Sequence, residues 1–429
     1  MTLSLADARA TRSLSVLESI HMLSANTLWY TFRVEGPLDL AALRQAWDLL
    51  RAEHPVLAAR ISPSAGNPGL PLPGFELALP ERPRPGELVV QDHGANLVPY
   101  SIREGEEVAL VDVIPHDEGH LVSFVVLHSV ADGRLGYYWA GRLWSHYTDL
   151  AEGLSPAVEP VPVPKSPEEL LAERGVEKID QGPRRAELVA PANLPDQAFV
   201  RPVRERVQLS ASTTSLLRRY AKSRGQTMHG LVAGAIATMM RRALPAPDGS
   251  AVPIALISPV DLRERFDPPV PIWGGTNVLG DAHAVVQARP DSDPAQLGAE
   301  ILGQLHEDLA AGVVHQDFFH FLEFFTDEQP KIPHTITTNL GVLDPVRMPR
   351  GTVAADFTCW VETDWSPIIA MLREWGQSGS HPLMGPLHLI STYQGRLAVD
   401  VSLPMPASAA RAYARELEEL FVEMSARQP

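Results

Sequence analysis

The segment HLVSFVVLH, residues 120–128, constrains the fold more than any other part of the sequence. Its apolar residues run almost without interruption up to His128, which predicts a strand that is covered on both faces and lies inside a sheet. An amphipathic helix is predicted to follow, because Leu135, Trp139 and Leu143 recur at helical spacing. A buried sheet beside amphipathic helices predicts a mixed fold in which the layers share one core.

The other periodic segments form two halves, each with strands and helices. Strands are predicted at 27–36, 56–61, 108–114, 203–209, 251–260, 276–289, 333–340, 352–361, 385–392 and 395–402. Helices are predicted at 38–53, after Ser210, and at 227–242, 293–310 and 407–425, whereas the proline-rich residues 63–86 are predicted to be a loop. Nine prolines within the 48 residues from Ser155 to Pro202 mark the boundary. We therefore expect an α/β (α+β) fold of two-layer sandwiches, with subdomains at 1–154 and 203–429 joined by a linker at 155–202.

Composition excludes several functional classes. Lys and Arg total 36 and Asp and Glu total 52, a formal net charge of -16, which argues against binding to nucleic acid or to an anionic membrane. The single cysteine, Cys359, leaves no internal disulfide and no cysteine-rich zinc site, which fits a reducing cytoplasm. The most apolar stretch, residues 231–240, is shorter than the ~20 residues of a membrane span, and the N-terminus lacks a signal-peptide pattern. We expect a cytoplasmic protein.

The sequence HSVADG, residues 128–133, carries the clearest candidate for chemistry. His128 ends the predicted central strand, and Asp132 and Gly133 come directly before the predicted helix. Two structural interpretations stand beside a catalytic one: His128 could be a core histidine with both nitrogens bonded, and Asp132 could be the N-cap of the helix. A neutral imidazole can also take a proton from a hydroxyl at physiological pH, so His128 is a candidate general base.

Four blocks together resemble the superfamily of condensation domains and polyketide-associated acyltransferases, which share the chloramphenicol-acetyltransferase-like fold. HSVADG matches the H-x-x-x-D-G motif of that superfamily. Residues 259–277, PVDLRERFDPPVPIWGGTN, resemble its Pro-Val-x-x-Arg block and Gly-Asn element, and residues 337–341, TTNLG, resemble its Asn-x-Gly strand. Residues 38–61 resemble its first helix and strand. The blocks follow the superfamily's order, so the resemblance covers nearly the whole chain.

The resemblance implies two acetyltransferase-like subdomains in a V, with a central tunnel and His128 in its middle. It also implies that Asp132 points away from the His128 ring and forms an ion pair with Arg263. Gly133 would let the donor approach the backbone, and its N–H is a candidate donor to the oxyanion. Further candidates along the tunnel are Asn277 and Asn339, for which a ladder or turn role is an equal alternative, and Ser391 and Thr392, whose hydroxyls are weaker oxyanion candidates.

The resemblance further implies an acyltransferase whose donor substrate is an acyl-CoA or acyl-carrier-protein thioester. Condensation domains of peptide synthetases usually carry two adjacent histidines, whereas Leu127 precedes His128 here, which favours ester over amide formation. The sequence has no Gly-x-Ser-x-Gly elbow, so no covalent enzyme intermediate is expected. We predict an O-acyltransferase of lipid or polyketide-like secondary metabolism, a monomer with no bound cofactor, that acts on a small-molecule alcohol.

Two alternatives remain open at this point. One is amide formation on a carrier-bound substrate, and the other is an inactive relative that docks onto a polyketide synthase or an acyl carrier protein. A metal site is not expected: HQDFFH, residues 315–320, places His315 and His320 five positions apart, so they do not share a helical face.

Overall fold

The computed structural model describes residues 8–64, 72–81, 84–180, 187–189, 202–244, 249–320, 331–374 and 385–427. Contacts divide the chain into two compact units. Unit 1 comprises Met1–Glu177, Leu262–Leu279 and Pro345–Trp375, and unit 2 comprises Lys178–Asp261, Gly280–Asp344 and Gly376–Pro429. The units are therefore not the two contiguous halves that the sequence suggested, because two segments of the second half pack within unit 1.

The strands and helices are as follows. The strands are β1 (Ala8–Ser13), β2 (Thr27–Glu35), β3 (Arg60–Ser64), β4 (Gly74–Pro80), β5 (Leu88–Val90), β6 (Ala109–His116), β7 (Gly119–Leu127), β8 (Glu187–Val189), β9 (Val203–Gln208), β10 (Val252–Asp261), β11 (Leu279–Ala288), β12 (Lys331–Leu343), β13 (Val353–Glu362), β14 (Leu387–Tyr393) and β15 (Arg396–Leu403). The α-helices are α1 (Val16–Leu23), α2 (Leu40–Glu53), α3 (Gly133–Ala151), α4 (Pro167–Glu173), α5 (Ala211–Ser223), α6 (Met228–Ala243), α7 (Pro294–Ala310), α8 (Asp317–His320), α9 (Ser366–Glu374) and α10 (Ala407–Ala426).

Unit 1 contains a five-stranded sheet in the order β13-β2-β7-β6-β5, and a three-stranded sheet in the order β1-β4-β3. Strand β7 lies in the middle of the larger sheet, antiparallel to β2 and β6, as its continuous apolar run predicts. Helices α2 and α3 contact each other and contribute large buried side chains against the sheet: Trp47 lies edge-on to Phe124, and Trp144 edge-on to Phe32. The end of β7 is thereby fixed within a packed core.

Unit 2 contains one sheet in the order β11-β10-β12-β14-β15-β9, with β8 paired to β12. Strand β12 is parallel to both β10 and β14, whereas β15 is antiparallel to both β14 and β9. Apolar residues of α5, α6, α7 and α10 form a continuous core with this sheet. Sheets with helices packed on them in both units confirm the predicted mixed α/β class.

Three local predictions differ from the structure. Residues 63–86 are not all loop, because β4 places Phe75, Leu77 and Leu79 in the interior at alternating positions. The linker 155–202 contains α4, where Ser166 and Glu169 form a capping box and Pro167 occupies the first turn. Residues 56–61 do not form one strand, since a 3-10 helix at Pro55–Ala58 precedes β3.

Candidate active site

His128 lies directly after β7, where the sheet ends. Its N–H donates to the carbonyl oxygen of Asn26 at 2.8 Å, which extends the pairing of β7 with the start of β2 by one bond. The preceding Leu127 is fully buried, whereas the His128 side chain is only partly buried. The strand therefore presents an imidazole at the boundary between core and accessible space.

The imidazole is oriented by Asn277, which lies two residues before β11. Asn277 Nδ2 donates to the His128 carbonyl oxygen at 2.8 Å, and Asn277 Oδ1 lies 2.9 Å from His128 Nδ1. A carbonyl oxygen can only accept a hydrogen bond, so the Asn277 amide nitrogen must face the His128 carbonyl oxygen. Asn277 Oδ1 must then accept a hydrogen bond from the Nδ1–H of His128. The neutral ring thus carries its proton on Nδ1 and a lone pair on Nε2, and no described residue forms a hydrogen bond with Nε2.

Asp132 has two sets of partners, one for each carboxylate oxygen. Oδ1 accepts from the N–H groups of Arg134 and Leu135 at 3.1 and 2.9 Å, so Asp132 is the N-cap of α3. Oδ2 lies 2.7 Å from Arg263 Nη2 and accepts from the Val278 N–H at 3.0 Å. Both the capping role and the ion pair that the sequence suggested are present, and they use different oxygens.

The ion pair fixes the segment that carries Asn277. Asp132 and Arg263 are 0% and 3% exposed, so neither charge is well solvated. The Asp132 N–H also donates to the Thr276 carbonyl oxygen at 2.7 Å, one residue before Asn277. Loss of one partner would leave the other charge buried without compensation, which typically costs about 3–5 kcal/mol. The pair therefore holds the loop after β7 and the loop before β11 in one arrangement.

Gly133 is the first residue of α3. The first N–H groups of a helix have no partner within the helix, and among the described residues none accepts from the Gly133 N–H. The Gly133 carbonyl oxygen accepts from the Tyr30 hydroxyl at 3.0 Å, which anchors this turn to β2. The N–H thus remains available to a ligand at the positive end of a helix.

Burial lowers the pKa of His128 below its ordinary value, although Asp132 and the bond to Asn277 act in the opposite direction. The ring is accordingly neutral at physiological pH, as a base must be. His21 of α1 was not among the predicted site residues, yet its ring stacks on that of His128. Ser15 and Glu18 form a capping box that could have indicated α1 from the sequence, but no sequence signal indicates the stacking.

The remaining predicted site residues lie in unit 2. Asn339, on β12, accepts at Oδ1 from the Gly341 N–H at 2.8 Å, where the register with β14 shifts. This local bond is the turn role that the sequence analysis left open. Ser391 and Thr392 lie on β14, and the Ser391 hydroxyl is buried without a hydrogen-bond partner among the described residues. Asn277, which the sequence grouped with these three, instead contacts His128 directly.

The described residues contain no group of histidine, cysteine or carboxylate side chains that could hold a metal ion. In the HQDFFH segment, His320 Nε2 lies 2.9 Å from the Ile179 carbonyl oxygen, so this ring is bonded to the backbone of a segment distant in the sequence.

Comparison with known proteins places this chain in a family. The profile of the phthiocerol/phthiodiolone dimycocerosyl transferase C-terminus matches residues 198–402. A phthiocerol/phthiodiolone dimycocerosyl transferase of Mycobacterium leprae is 30% identical over 347 residues, which cover 76% of this chain and 80% of that protein. The chain belongs to this transferase family. A homologue with the same name from Mycobacterium tuberculosis is 29% identical over 352 residues, with the same two coverages of 76% and 80%.

Solved structures agree with this family membership. Polyketide synthase associated protein 5 from Mycobacterium tuberculosis is 25% identical, with a TM-score of 0.78 over 97% of this chain and 98% of that one. The first condensation domain of the CDA synthetase shares the fold at 16% identity, with a TM-score of 0.67 over 98% and 97% of the two chains. This member of the transferase family is therefore an acyltransferase with a condensation-domain-like fold, as predicted. Within the described part of the chain, no helix is both long enough and apolar enough to cross a membrane.

Proposed function

We propose that this acyltransferase moves an acyl group from a thioester to a hydroxyl, with His128 as the general base. The observation that carries the proposal is the pair of bonds between Asn277 and His128, which puts the proton on Nδ1 and leaves the Nε2 lone pair without a partner among the described residues. A general base needs that lone pair within reach of the proton it removes. A docking scaffold would not require a fixed tautomer.

The reaction follows from this geometry. Nε2 takes the proton of the acceptor hydroxyl as its oxygen attacks the thioester carbonyl carbon, and the carbonyl oxygen becomes an oxyanion. The Gly133 N–H is the proposed donor to that oxyanion. The intermediate collapses, the carbon–sulfur bond breaks, and the protonated His128 gives its proton to the departing sulfur. The products are an ester and a thiol, and no bond to the protein forms.

The imidazolium that forms in this step also needs stabilisation. Asn277 Oδ1 accepts from Nδ1 in both charge states of the ring, so its bond persists when Nε2 gains a proton. The Asp132 carboxylate raises the pKa of His128 against the effect of burial. Asp132 thus acts on the base through charge and through the position of the loop.

The names of the relatives support a lipid substrate. The curated homologues are named for the transfer of dimycocerosyl groups and for phthiocerol or phthiodiolone. We propose that this chain also acylates a lipid or polyketide-like alcohol. The donor is the thioester of an acyl-CoA or of an acyl carrier protein. The name of polyketide synthase associated protein 5 supports a donor delivered by a polyketide synthase.

The test offers each thioester, as acyl-CoA and as acyl carrier protein, to a long-chain alcohol and to the amine of equal length. Products are identified by mass spectrometry, with His128→Ala as the matched control. We expect ester formation, with the rate falling about 10²- to 10⁴-fold in the variant. A preference for the amine would show that the protein forms amides rather than esters. An unchanged rate in His128→Ala would show that His128 is not the general base.

A further inference from the structure

The ring of His21 lies flat against the ring of His128. Their centroids are 4.0 Å apart and their planes differ by 9°. His21 is in the last turn of α1, and His128 follows β7, so the contact joins two elements far apart in the sequence. Face-to-face contact over this short distance leaves the His128 ring little freedom to rotate about its Cβ–Cγ bond. The base is therefore held from one edge by Asn277 and on one face by His21.

The end of α1 fixes His21 with respect to Asn26. The Asn26 N–H donates to the His21 carbonyl oxygen and the Ala25 N–H to the Met22 carbonyl oxygen, both at 2.9 Å. Ala25 has a φ of 45°, so this is a Schellman motif with alanine at a position that favours glycine. A non-glycine residue adopts this conformation at a cost when the surrounding structure determines it.

Asn26 then ties both histidines together. Its Nδ2 lies 3.0 Å from His21 Nδ1, and its Oδ1 accepts from the Thr363 hydroxyl at 2.6 Å. With Oδ1 used in this way, Nδ2 donates to Nδ1, and the neutral His21 ring carries its proton on Nε2. The carbonyl oxygen of the same Asn26 accepts the His128 N–H. One residue thus sets the tautomer of His21 and holds the backbone of the base.

We propose that His21 is a positioning residue for acyl transfer, whose stacked ring keeps the His128 imidazole in one orientation and shields it from water. The proposal rests on the proposed role of His128 as the base. It assigns no proton transfer to His21. Among the described residues, the groups that face the His128 ring are His21 from α1, Asn277 from the loop before β11 and, by its charge, Asp132, which is itself paired with Arg263.

The electrostatics are consistent with this role. Burial lowers the pKa of His21 well below its ordinary value, and the neighbouring His128 adds a smaller effect in the same direction. His21 therefore stays neutral while His128 takes up and releases protons. Two positive rings at 4.0 Å would repel each other, so the pair carries at most one positive charge at a time.

The experiment compares His21→Ala with His21→Phe, because phenylalanine keeps a flat ring and removes both nitrogens. Met22→Ala is the matched control, since Met22 is buried on the same turn of α1. For His21→Ala we expect kcat to fall about 10- to 100-fold with KM nearly unchanged, because the base is no longer held in place. His21→Phe should recover most of that loss, and Met22→Ala should retain the wild-type kcat.

A second readout does not depend on activity. The pKa of His128 is followed by NMR on the Cε1–H proton, and it should rise in His21→Ala, where water reaches the ring, but not in His21→Phe or Met22→Ala. Unchanged kcat and unchanged His128 titration in His21→Ala would overturn the proposal, as would equal losses in the Ala and Phe variants. If the wild type transfers no acyl group, the proposed function fails, and the titration still tests the stacking.

Thr363→Val covers the case in which His21→Ala does not fold. This isosteric change leaves His21 in place but removes the hydroxyl that orients the Asn26 amide. We expect kcat to fall by less than about 10-fold with KM unchanged, because the His21 ring is held less firmly. Wild-type kcat in Thr363→Val would contradict the role of Asn26 in holding His21.

Discussion

Two histidines of this protein share a tautomer and differ in one bond. His388, on β14 in unit 2, is fully buried, and its Nδ1 lies 2.8 Å from the Thr335 hydroxyl. That hydroxyl donates to the Pro386 carbonyl oxygen at 3.0 Å, so it accepts from Nδ1, and Nε2 in turn accepts from the Tyr413 hydroxyl at 2.8 Å. His128 also carries its proton on Nδ1, but its Nε2 has no partner among the described residues.

The difference separates a structural histidine from the proposed general base. In His388 the Nε2 lone pair accepts a hydrogen bond from the Tyr413 hydroxyl. At His128 a substrate hydroxyl would take the corresponding position. The direction of the pKa shift does not distinguish them, since burial lowers the pKa of both rings. What distinguishes them is whether the second ring nitrogen has a partner.

The largest expected effect is on the rate of transfer. His128→Ala should lower the acyl-transfer rate about 10²- to 10⁴-fold, because the proton acceptor is lost, and should change the free energy of unfolding little. Initial rates of the purified protein measure acyl transfer, and urea unfolding measures the free energy of unfolding. His388→Ala is the matched control and should keep the rate of the folded protein. Equal rate losses in both variants would break the comparison.

Next in size is the loss of the buried ion pair beside His128. Asp132→Ala or Arg263→Ala should lower the free energy of unfolding by about 3–5 kcal/mol, because the remaining charge stays buried. Arg347→Ala serves as the control: Arg347 pairs with Asp149 but is 48% exposed, so water screens this pair and its loss should lower the free energy of unfolding much less. Urea unfolding gives all three values. Similarly small losses of unfolding free energy for the Asp132–Arg263 pair and for Arg347 would show that the Asp132–Arg263 pair does not hold the loop after β7 in place.

His388→Ala should cost about 2–4 kcal/mol of unfolding free energy, from the cavity and the unpaired hydroxyls. It should also change the pH dependence of stability. Burial lowers the pKa of His388 to about 3, whereas the unfolded ring titrates near 6.5, so the unfolded chain binds more protons between these values. The contribution of His388 is therefore complete above pH 6.5 and declines as the pH falls towards 3, by up to about 1.4 kcal/mol per pH unit.

The measurement compares wild type with His388→Ala by chemical denaturation at pH 7, 6, 5 and 4. Wild type should lose more stability than the variant over this range. Parallel losses would mean that His388 is not held neutral by its surroundings.

The smallest effect is expected for Tyr413→Phe. The change removes the hydroxyl that donates to His388 Nε2 and should cost about 1 kcal/mol of unfolding free energy. It leaves His388 with an unpaired lone pair, as in His128, but without access to substrate, so the transfer rate should not change. A rate change would show that unit 2 influences the base through this bond.

The sequence indicated the central strand, the helix after it and the residues 128–133 between them, because each depends on local periodicity and capping. Asp132 could be predicted as an N-cap from its place before α3, whereas the partner Arg263 came only from family resemblance. Asn277 was predicted only as a tunnel residue. Nothing in a sequence reveals that an amide 149 positions away forms hydrogen bonds with both the ring and the carbonyl oxygen of His128. The stacking of His21 was missed for the same reason: it depends on packing between distant segments.

The pairing of β13 with β2 has a consequence for how the chain is made. β13 pairs with β2 along its full length, yet it is synthesised only after β12 of unit 2 is complete. Until then, the growing chain exposes one edge of β2, with its backbone donors and acceptors open to pairing with another chain. The sheet that supports the candidate active site is therefore finished late, and a fragment that stops before β13 should be prone to aggregation even though it contains the whole HSVADG motif.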